Sequence, residues 1–322
     1  MTIYFVGAVG CALAPSVHWL IIMRFVQGLG AGAGAVIARA VVRDLHTGPE
    51  AARLMSMLML VFSISPLLAP LAGSLIVEFG SWRDIFWVLT GFGVLGGMLV
   101  NFGLRETRTR EKRLESSVSS ALSNYGLLLM DPYFLGIVGI AAFGMSSYMV
   151  YVSNSLFIII NHFGLSPSLY GLMFALNAVP FFIMSQLNGR LAKRFGLRRV
   201  VRGATLAYSA MMLTLLATRL AGIDSFAVMT VLLLLGYGFL GLVVPSSAVL
   251  ALEAHGRIAG TASALMGTLQ FVAASIVTAI VSLFFNGTSM PMIAGIGVCS
   301  AIVVTFSLMT LRPMPAQVAA AE

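Results

Sequence analysis

The sequence predicts an all-α integral membrane protein, on three observations. Of its 322 residues, 59% are hydrophobic and only 9% are charged, whereas a soluble globular chain is roughly 45–50% apolar and 25% charged. The apolar residues form continuous runs that are long enough to cross a bilayer, and the basic residues fall in alternate loops between those runs. This composition excludes a soluble protein, and it excludes a disordered one because too much apolar side chain would have to stay solvated.

Nine apolar runs each have the length of a membrane span. Crossing the hydrocarbon core takes about 20 helical residues, and the runs that reach this length are 18–42, 51–77, 82–104, 133–160, 169–187, 200–219, 224–250, 257–285 and 288–311. They lack the ten-residue alternation of barrel strands, so we expect helices. A tenth stretch, 1–14, would be only about 21 Å long as a helix, and we interpret it as the second half of a span.

Turn-forming residues stand between the runs. Pro15, Gly48-Pro49, Ser166-Pro167 and Asn286-Gly287 all fall there, as turn chemistry requires. Asp131-Pro132 predicts a helix start, with Asp131 as the N-cap and proline in the first turn.

The basic residues predict which side of the membrane each loop faces. Of the 19 Lys and Arg residues, sixteen lie in or beside alternate loops: Arg39, Arg43, Arg53, Arg105, Arg108, Arg110, Lys112, Arg113, Arg190, Lys193, Arg194, Arg198, Arg199, Arg202, Arg257 and Arg312. Only Arg83 and Arg219 lie in the other loops. The positive-inside rule makes the sixteen cytoplasmic. The net charge of +8 therefore reports orientation, and we expect no nucleic-acid partner.

The polar stretch 105–131 divides the chain. We interpret it as a cytoplasmic linker, part of it a helix on the membrane surface. It separates an N-terminal bundle remnant, 1–104, from a six-helix C-terminal bundle, 132–322. The C-terminus is then cytoplasmic as well.

Enzymatic and cofactor chemistry find no support in the motifs. The four histidines lack metal-ligand spacing, and the eleven Asp and Glu lie outside the spans or at their ends, so we predict neither a catalytic site nor a metal or cofactor. Two GxGxxG patterns, at 91–96 and 236–241, lie inside spans and not after a strand. We expect them to serve close helix packing.

Arg24 is a charge inside a span, where burial costs a few kcal/mol. Its long side chain could reach the headgroups, because it lies about 9 Å from the end of its run. Alternatively it lines a water-filled cavity. Gln27, Gly28 and Ala31 share its helix face, and such a stripe suits the wall of a cleft.

Several motifs resemble those of the major facilitator superfamily. The proton-coupled branches have a fourth-helix motif similar to Leu20-x-x-x-Arg24-x-x-Gln27-Gly28-x-Gly30-Ala31. The fifth-helix antiporter motif, GxxxGPxxGG, resembles Ser65-x-x-x-Ala69-Pro70-x-x-Gly73-Ser74, where small residues replace three glycines. The recurring basic loop resembles Gly189-x-Leu191-Ala192-Lys193-Arg194-x-Gly196-x-Arg198-Arg199, although Lys193 stands where the family usually has Asp.

Three further segments look like the bicyclomycin-resistance (Bcr/CflA) drug-efflux family. They are Ala38-Arg39-Ala40-x-x-Arg43-Asp44, Ser81-Trp82-Arg83-x-x-Phe86 and Gly260-Thr261-Ala262-Ser263-Ala264-Leu265. The resemblance implies two six-helix bundles with alternating access. Residues 1–14 would then be the tail of the third helix, so we expect an N-terminally truncated chain whose N-terminal bundle is incomplete.

The resemblance also implies a function. We expect a monomeric, proton-coupled antiporter in the bacterial inner membrane that exports small amphipathic drugs, with Arg24 and Gln27 in proton coupling. A solute importer of the same fold and a transport-inactive fragment are the alternatives. The substrate-cavity candidates are Tyr148, Tyr151, Asn154, Asn177, Tyr237 and Gln270, unless each only satisfies itself by interhelical hydrogen bonds. Structural roles are expected for Gly28, Gly30, Pro70, Gly73, Gly189, Arg194, Gly196 and Arg198.

Overall fold

The structure, a computed structural model, describes residues 1–45, 75–103, 118–255 and 258–311, with isolated helical positions between 54 and 73. The elements in chain order are α1 (Thr2–Ala12), α2 (Val17–Leu45), α3 (Trp82–Gly103), α4 (Val118–Met130), α5 (Pro132–Phe157), α6 (Pro167–Phe195), α7 (Leu197–Leu220), α8 (Phe226–Glu253), α9 (Ala259–Leu283) and α10 (Met290–Thr310). A short π-helical turn, Ile158–His162, extends α5. Throughout these ranges the regular structure is helical, which confirms the predicted all-α class.

Seven helices in the described part of the chain are long and apolar enough to cross a membrane. They are α3, α5 with its π-helical extension, and α6 to α10. α2 coincides with the predicted run 18–42 and has 29 residues, which corresponds to about 43 Å of helix. Most of the predicted run 51–77, including Pro70, lies outside the described residues.

The chain divides into two compact units, Met1–Ser116 and Ser117–Glu322. In the first unit α1 packs against both α2 and α3. Cys11, Ala12 and Phe86 form its small buried cluster. The turn at Pro15 is tied down by two side chains, because Trp19 Nε1 donates to the Gly10 carbonyl at 3.0 Å and Arg83 donates to the Ala14 carbonyl at 3.1 Å.

The second unit has its own core, built from six spanning helices. α5 packs against α8, α9 and α10, while α8 also packs against α6 and α7. Fully buried side chains such as Phe134, Ile137 and Leu240 fill the space between them. α5 is therefore central, and side chains from its middle turns meet several other helices.

Two helix starts in this unit have caps. The Asp131 carboxylate accepts from the Tyr133 backbone N–H at 2.8 Å, which confirms the predicted N-cap. Ser166 accepts from the Leu169 N–H at 3.3 Å. In both cases proline occupies the first turn, where its missing N–H leaves no hydrogen bond unmade.

The predicted loop between runs 169–187 and 200–219 is almost wholly helical. Gly196 is the one residue between α6 and α7, and its φ of +82° ends the first helix, a conformation that glycine adopts without steric cost. The length of the apolar run therefore underestimates the length of each of these two helices. The backbone can continue as a helix past the hydrocarbon region, since the basic side chains of that segment remain solvated.

Close helix packing occurs at some of the glycines that the sequence singled out. A Cβ on Gly30 would collide with the Tyr4 backbone, and one on Gly241 would collide with the Phe181 carbonyl. Gly238 lies against Pro180, where a Cβ would stand 3.1 Å from the proline ring. By contrast, a Cβ on Gly28 or Gly73 would have no described atom within 4 Å, so in the described structure a packing role is visible for Gly30 and not for these two.

Candidate functional site

In the first unit, Arg24 and Gln27 form a connected polar pair on α2. Arg24 Nη1 donates to Gln27 Oε1 at 2.9 Å, as their i, i+3 spacing allows. The guanidinium also lies 5.2 Å from the centre of the Phe86 ring of α3, within cation–π range. Arg24 is exposed on its own unit, and the described residues give it no ion-pair partner.

Gln27 is held in place by the helix crossing beneath it. Its side chain is buried, and a Cβ on Gly7 of α1 would stand only 2.5 Å from the Gln27 backbone nitrogen. Because an arginine can only donate, the contact with Arg24 fixes the amide with Oε1 toward the guanidinium. Gln27 Nε2 makes no well-aligned hydrogen bond among the described residues, although the amide interacts with the nearby Tyr4 side chain of α1. Of the two side chains only Arg24 presents exposed, unused N–H donors, which suits a carboxylate, whereas Gln27 Nε2 is buried.

In the second unit, aromatic rings from α5, α6 and α8 meet. We define the aromatic cluster as Tyr148, Tyr151, Phe174, Phe181 and Tyr237. Tyr151 stacks on Phe174 with centroids 5.9 Å apart, Tyr148 stacks on Phe181 at 6.1 Å, and Tyr237 meets Tyr148 edge-to-face at 5.4 Å. These are the separations at which aromatic pairs attract. Tyr151 and Tyr237 are buried, whereas Tyr148 is partly exposed.

A chain of hydroxyls anchors one side of the aromatic cluster. Tyr237 OH donates to the Ser147 carbonyl at 3.0 Å, and Tyr208 OH of α7 donates to Ser147 Oγ at 2.6 Å. Since the phenols at 208 and 237 are fully buried, these bonds remove the cost of leaving them unpaired. Tyr237 is thus fixed in orientation by α5.

The structure brings together four of the six substrate candidates. Asn177 Nδ2 donates to Tyr151 OH at 3.2 Å, so Asn177 joins Tyr148, Tyr151 and Tyr237. Asn154 instead donates to the Val150 carbonyl of its own helix at 2.9 Å. Its amide N–H is therefore satisfied within the helix and does not need a substrate as partner. Gln270 of α9 is partly buried, and no hydrogen bond within the described residues joins it to the others.

The basic segment at the α6–α7 junction is exposed. Arg194 lies over the Phe195 ring at 5.2 Å, and Arg198 lies over the Tyr133 ring at 5.3 Å. Gly196 supplies the break between the helices, whereas a Cβ on Gly189 would meet no described atom within 4 Å. The structural roles assigned to these positions by resemblance stay predictions.

Sequence reasoning missed an ionic cluster around Asp224. His162 Nε2 lies 2.7 Å from Asp224 Oδ2, and Arg219 Nη2 lies 3.0 Å from the same oxygen. Ser289 Oγ donates to Asp224 Oδ1 at 3.1 Å. Partial burial alone would raise the pKa of Asp224, but the hydrogen bonds from His162 and Ser289 and the charge of Arg219 outweigh it and hold the pKa below its ordinary value. The cluster joins the ends of α5, α7 and α10.

At the N-terminal end of α5, His255 Nε2 lies 2.9 Å from Asp131 Oδ2. Both histidine pairs join residues that are far apart in sequence, so spacing gave no signal of them. Two aromatic members of the cluster, Phe174 and Phe181, were also missed. A signal for these was present, because with Asn177 they follow i, i+3, i+7 along one face of α6. No group of three or more His, Cys, Asp or Glu that could hold a metal occurs in the described ranges.

The comparisons with known proteins agree with this architecture. The family model described as Major Facilitator Superfamily matches residues 1–278 and, in a second alignment, 137–321. The chain belongs to the major facilitator superfamily. Proteins of this superfamily move solutes across membranes, so this chain is a multi-pass membrane transporter and not an enzyme. The predicted fold class is thereby confirmed.

The relatives include transporters named for drug resistance. The chain is 34% identical to the uncharacterized MFS-type transporter YdgK of Bacillus subtilis over 288 residues. The matched region covers 88% of this chain and 70% of YdgK. It is 30% identical over 302 residues to a bicyclomycin resistance protein homolog of Haemophilus influenzae, covering 90% and 73%. It is 28% identical over 320 residues to the multidrug resistance protein MdtL of Klebsiella pneumoniae, covering 97% and 77%. The resemblance to bicyclomycin-resistance transporters is thus confirmed at the level of named relatives.

Solved structures with the same fold include two proton symporters. A D-xylose–proton symporter has a TM-score of 0.71 at 17% identity, covering 98% of this chain and 79% of that one. The fucose–proton symporter FucP of E. coli has a TM-score of 0.61 at 15% identity, covering 96% and 82%. At these identities the similarity shows the fold alone and does not indicate the substrate.

Proposed function

We propose that this transporter is a proton-coupled exporter of small amphipathic drugs that works by alternating access. The aromatic cluster with Asn177 is the observation that carries the proposal. Flat rings from three helices, combined with a few fixed polar groups, suit amphipathic molecules better than a strongly hydrated solute. The names of the relatives from Haemophilus influenzae and Klebsiella pneumoniae support a drug as the cargo.

In this proposal Arg24 and Gln27 provide the coupling to protons. A carboxylate beside the guanidinium would be held ionised, and it would take up a proton when movement of the bundle separated the two groups. The exposed guanidinium is free to bind such a carboxylate, and the bond from its Nη1 to Gln27 Oε1 holds it in place.

The remaining features of the proposal follow from the charge pattern. The protein would lie as a monomer in the bacterial inner membrane, with the lipid bilayer, protons and the drug as its partners. The C-terminus and the segment between the two units would be cytoplasmic, because the basic loops stay inside. The similarity of 65–74 to the antiporter motif favours export over import by the same fold.

Accumulation of radiolabelled chloramphenicol tests the proposal, in bacteria that lack their own exporters and express the protein from its own gene. We expect expression to lower accumulation and a protonophore to restore it. Arg24→Ala should raise accumulation to the level of cells without the transporter while the protein stays in the membrane. Arg190→Ala is the matched control, because Arg190 is exposed and makes no described hydrogen bond or ion pair, and it should export normally.

Two outcomes would contradict the proposal. Full export by Arg24→Ala would remove Arg24 from the coupling mechanism. Higher accumulation on expression of the wild-type protein would instead make it an importer.

A further inference from the structure

Asn177 carries a buried oxygen that has no partner among the described residues. The side chain is only 5% exposed. Its Nδ2 donates to Tyr151 OH at 3.2 Å and to the Met173 carbonyl at 3.1 Å. Asn177 Oδ1 has no hydrogen-bond donor in the part of the chain that the structure describes. An unsatisfied buried acceptor of this kind costs about 1–3 kcal/mol.

Turning the amide over cannot solve the problem. A flipped amide would place Oδ1 against the Met173 carbonyl, and two acceptors cannot form a hydrogen bond. Unpaired buried hydroxyls also occur among the described residues of this unit, at Thr205, Ser247, Thr278 and Ser307. A helical hydroxyl, however, can rotate toward a carbonyl of its own preceding turn. In the orientation that keeps the Met173 bond, the Asn177 oxygen has no such choice, because the described helices around it supply no donor there.

The surroundings of this oxygen define what could supply the donor. Phe174 and Phe181 lie one turn before and one turn after Asn177 on α6. Each is stacked on a tyrosine of α5, with interplanar angles of 8° and 20°. The partial exposure of Tyr148 places one ring of this arrangement at the surface of the unit. A flat apolar molecule could therefore be accommodated by displacing the partly exposed Tyr148 ring, without breaking a buried hydrogen bond.

The site also restricts the charge of its occupant. No Asp, Glu, Lys or Arg occurs in 132–189, which spans α5 and most of α6, or in 226–252, which spans nearly all of α8. A charged molecule at the aromatic cluster would lose its hydration without finding a counter-charge on these helices, and that cost is large.

From these observations we propose that Asn177 Oδ1 is the acceptor that selects the cargo, and that the favoured cargo is uncharged, aromatic and equipped with a hydroxyl or N–H donor. This inference rests on the proposed drug export and names its substrate class. The donor would complete the hydrogen bonding of Asn177, while Tyr151 keeps the amide oriented. A bound water would satisfy the same oxygen, but it would produce no preference among ligands.

Binding of a matched pair of probes tests the inference. Umbelliferone is flat, fluorescent and uncharged at mildly acidic pH, with a single O–H donor, and its methyl ether lacks that donor. With the purified wild-type protein we expect equilibrium dialysis to give about tenfold tighter binding of umbelliferone, the ratio that corresponds to roughly 1.4 kcal/mol. In Asn177→Leu the ratio should fall to about one, with binding of the ether retained. In Asn177→Asp, which keeps an acceptor oxygen, protonated or not, the preference should persist.

The outcomes separate this inference from the proposed function. If Asn177→Leu still bound umbelliferone about tenfold more tightly than the ether, the role of the oxygen would be overturned. If the leucine abolished binding of the ether, Asn177→Ala would take its place, and the same preference there would overturn the role as well. Equal binding of both probes by the wild-type protein would do the same, and would leave a water as its partner. Binding of neither probe by a protein that still exports chloramphenicol would overturn the substrate class. Absence of both binding and export would overturn the proposed function itself.

Discussion

Gly241→Ala tests the packing that brings the aromatic cluster together. Gly241 lies on α8, one turn after Tyr237, at its contact with α6. The added Cβ would stand 3.0 Å from the Phe181 carbonyl carbon and 3.1 Å from the Phe181 Cα, and closer still to the carbonyl oxygen. All three are backbone atoms, so no side-chain rotation relieves the contact and the two helices must move apart.

The size of the effect follows from those distances. Restoring ordinary contacts needs a separation of roughly half an ångström or more, and overpacking of a well-packed core costs about 1–3 kcal/mol. Because the collision is backbone against backbone, we expect a value near the upper end, about 2–3 kcal/mol. For a unit of this size, 1 kcal/mol corresponds to about 2–4 °C in melting temperature, which gives a decrease of roughly 5–10 °C.

Gly203→Ala is the matched control for this measurement. Gly203 is exposed on α7, and a Cβ there would have no described atom within 4 Å. Since alanine is the better helix former by about 1 kcal/mol, the melting temperature of the control should be unchanged or slightly higher. The assay is loss of the monodisperse peak after heating in detergent. If both variants melted within about 2 °C of the wild-type protein, the tight α6–α8 contact would be disproved.

Three other predictions concern the polar contacts of the second unit. Because the pKa of Asp224 is depressed, its contribution to stability is present above the ordinary Asp pKa of about 4 and is lost as the pH falls below that value. Melting curves from neutral to acidic pH should show this decrease in melting temperature. In Asp224→Asn the decrease should be smaller. Tyr208→Phe removes the donor to Ser147 Oγ and should cost about 1 kcal/mol in the same melting assay, and an unchanged melting temperature would show that this bond contributes nothing. Asp131→Ala removes the cap of α5 and should cost about 0.5–2 kcal/mol, whereas Asp131→Asn retains a capping oxygen and should lose less; equal losses would assign the effect to the His255 pair instead.

The spans and the helix starts could be predicted from sequence because their causes are local. A helix satisfies its own backbone hydrogen bonds in lipid, so an apolar run of sufficient length is enough to predict α8 or α10. Asp131 followed by proline forms its cap with a residue two positions away. The length of α6 was underestimated for the same reason, since hydrophobicity reports where lipid ends and not where the helix ends.

The candidate site was only partly predictable. Arg24 and Gln27 could be paired from helical spacing alone, because both lie on one face of α2. The tyrosines at 148 and 151 could be placed together in the same way. Their meeting with Tyr237 could not, because Tyr237 lies on a different helix far along the chain, and a single sequence contains no measure of which helix faces will touch.

The sequence by itself determined that this protein crosses the membrane many times as helices, because the cost of exposing apolar side chains to water and backbone groups to lipid depends on each segment alone. The order of the spans and the cap at Asp131 follow from the same local energies. Only the tertiary structure decided that Asn177 meets Tyr151, that its oxygen has no donor among the described residues, and that His162 and Arg219 meet at Asp224. Those relations depend on distances between helices, which are set by how all their side chains pack at once.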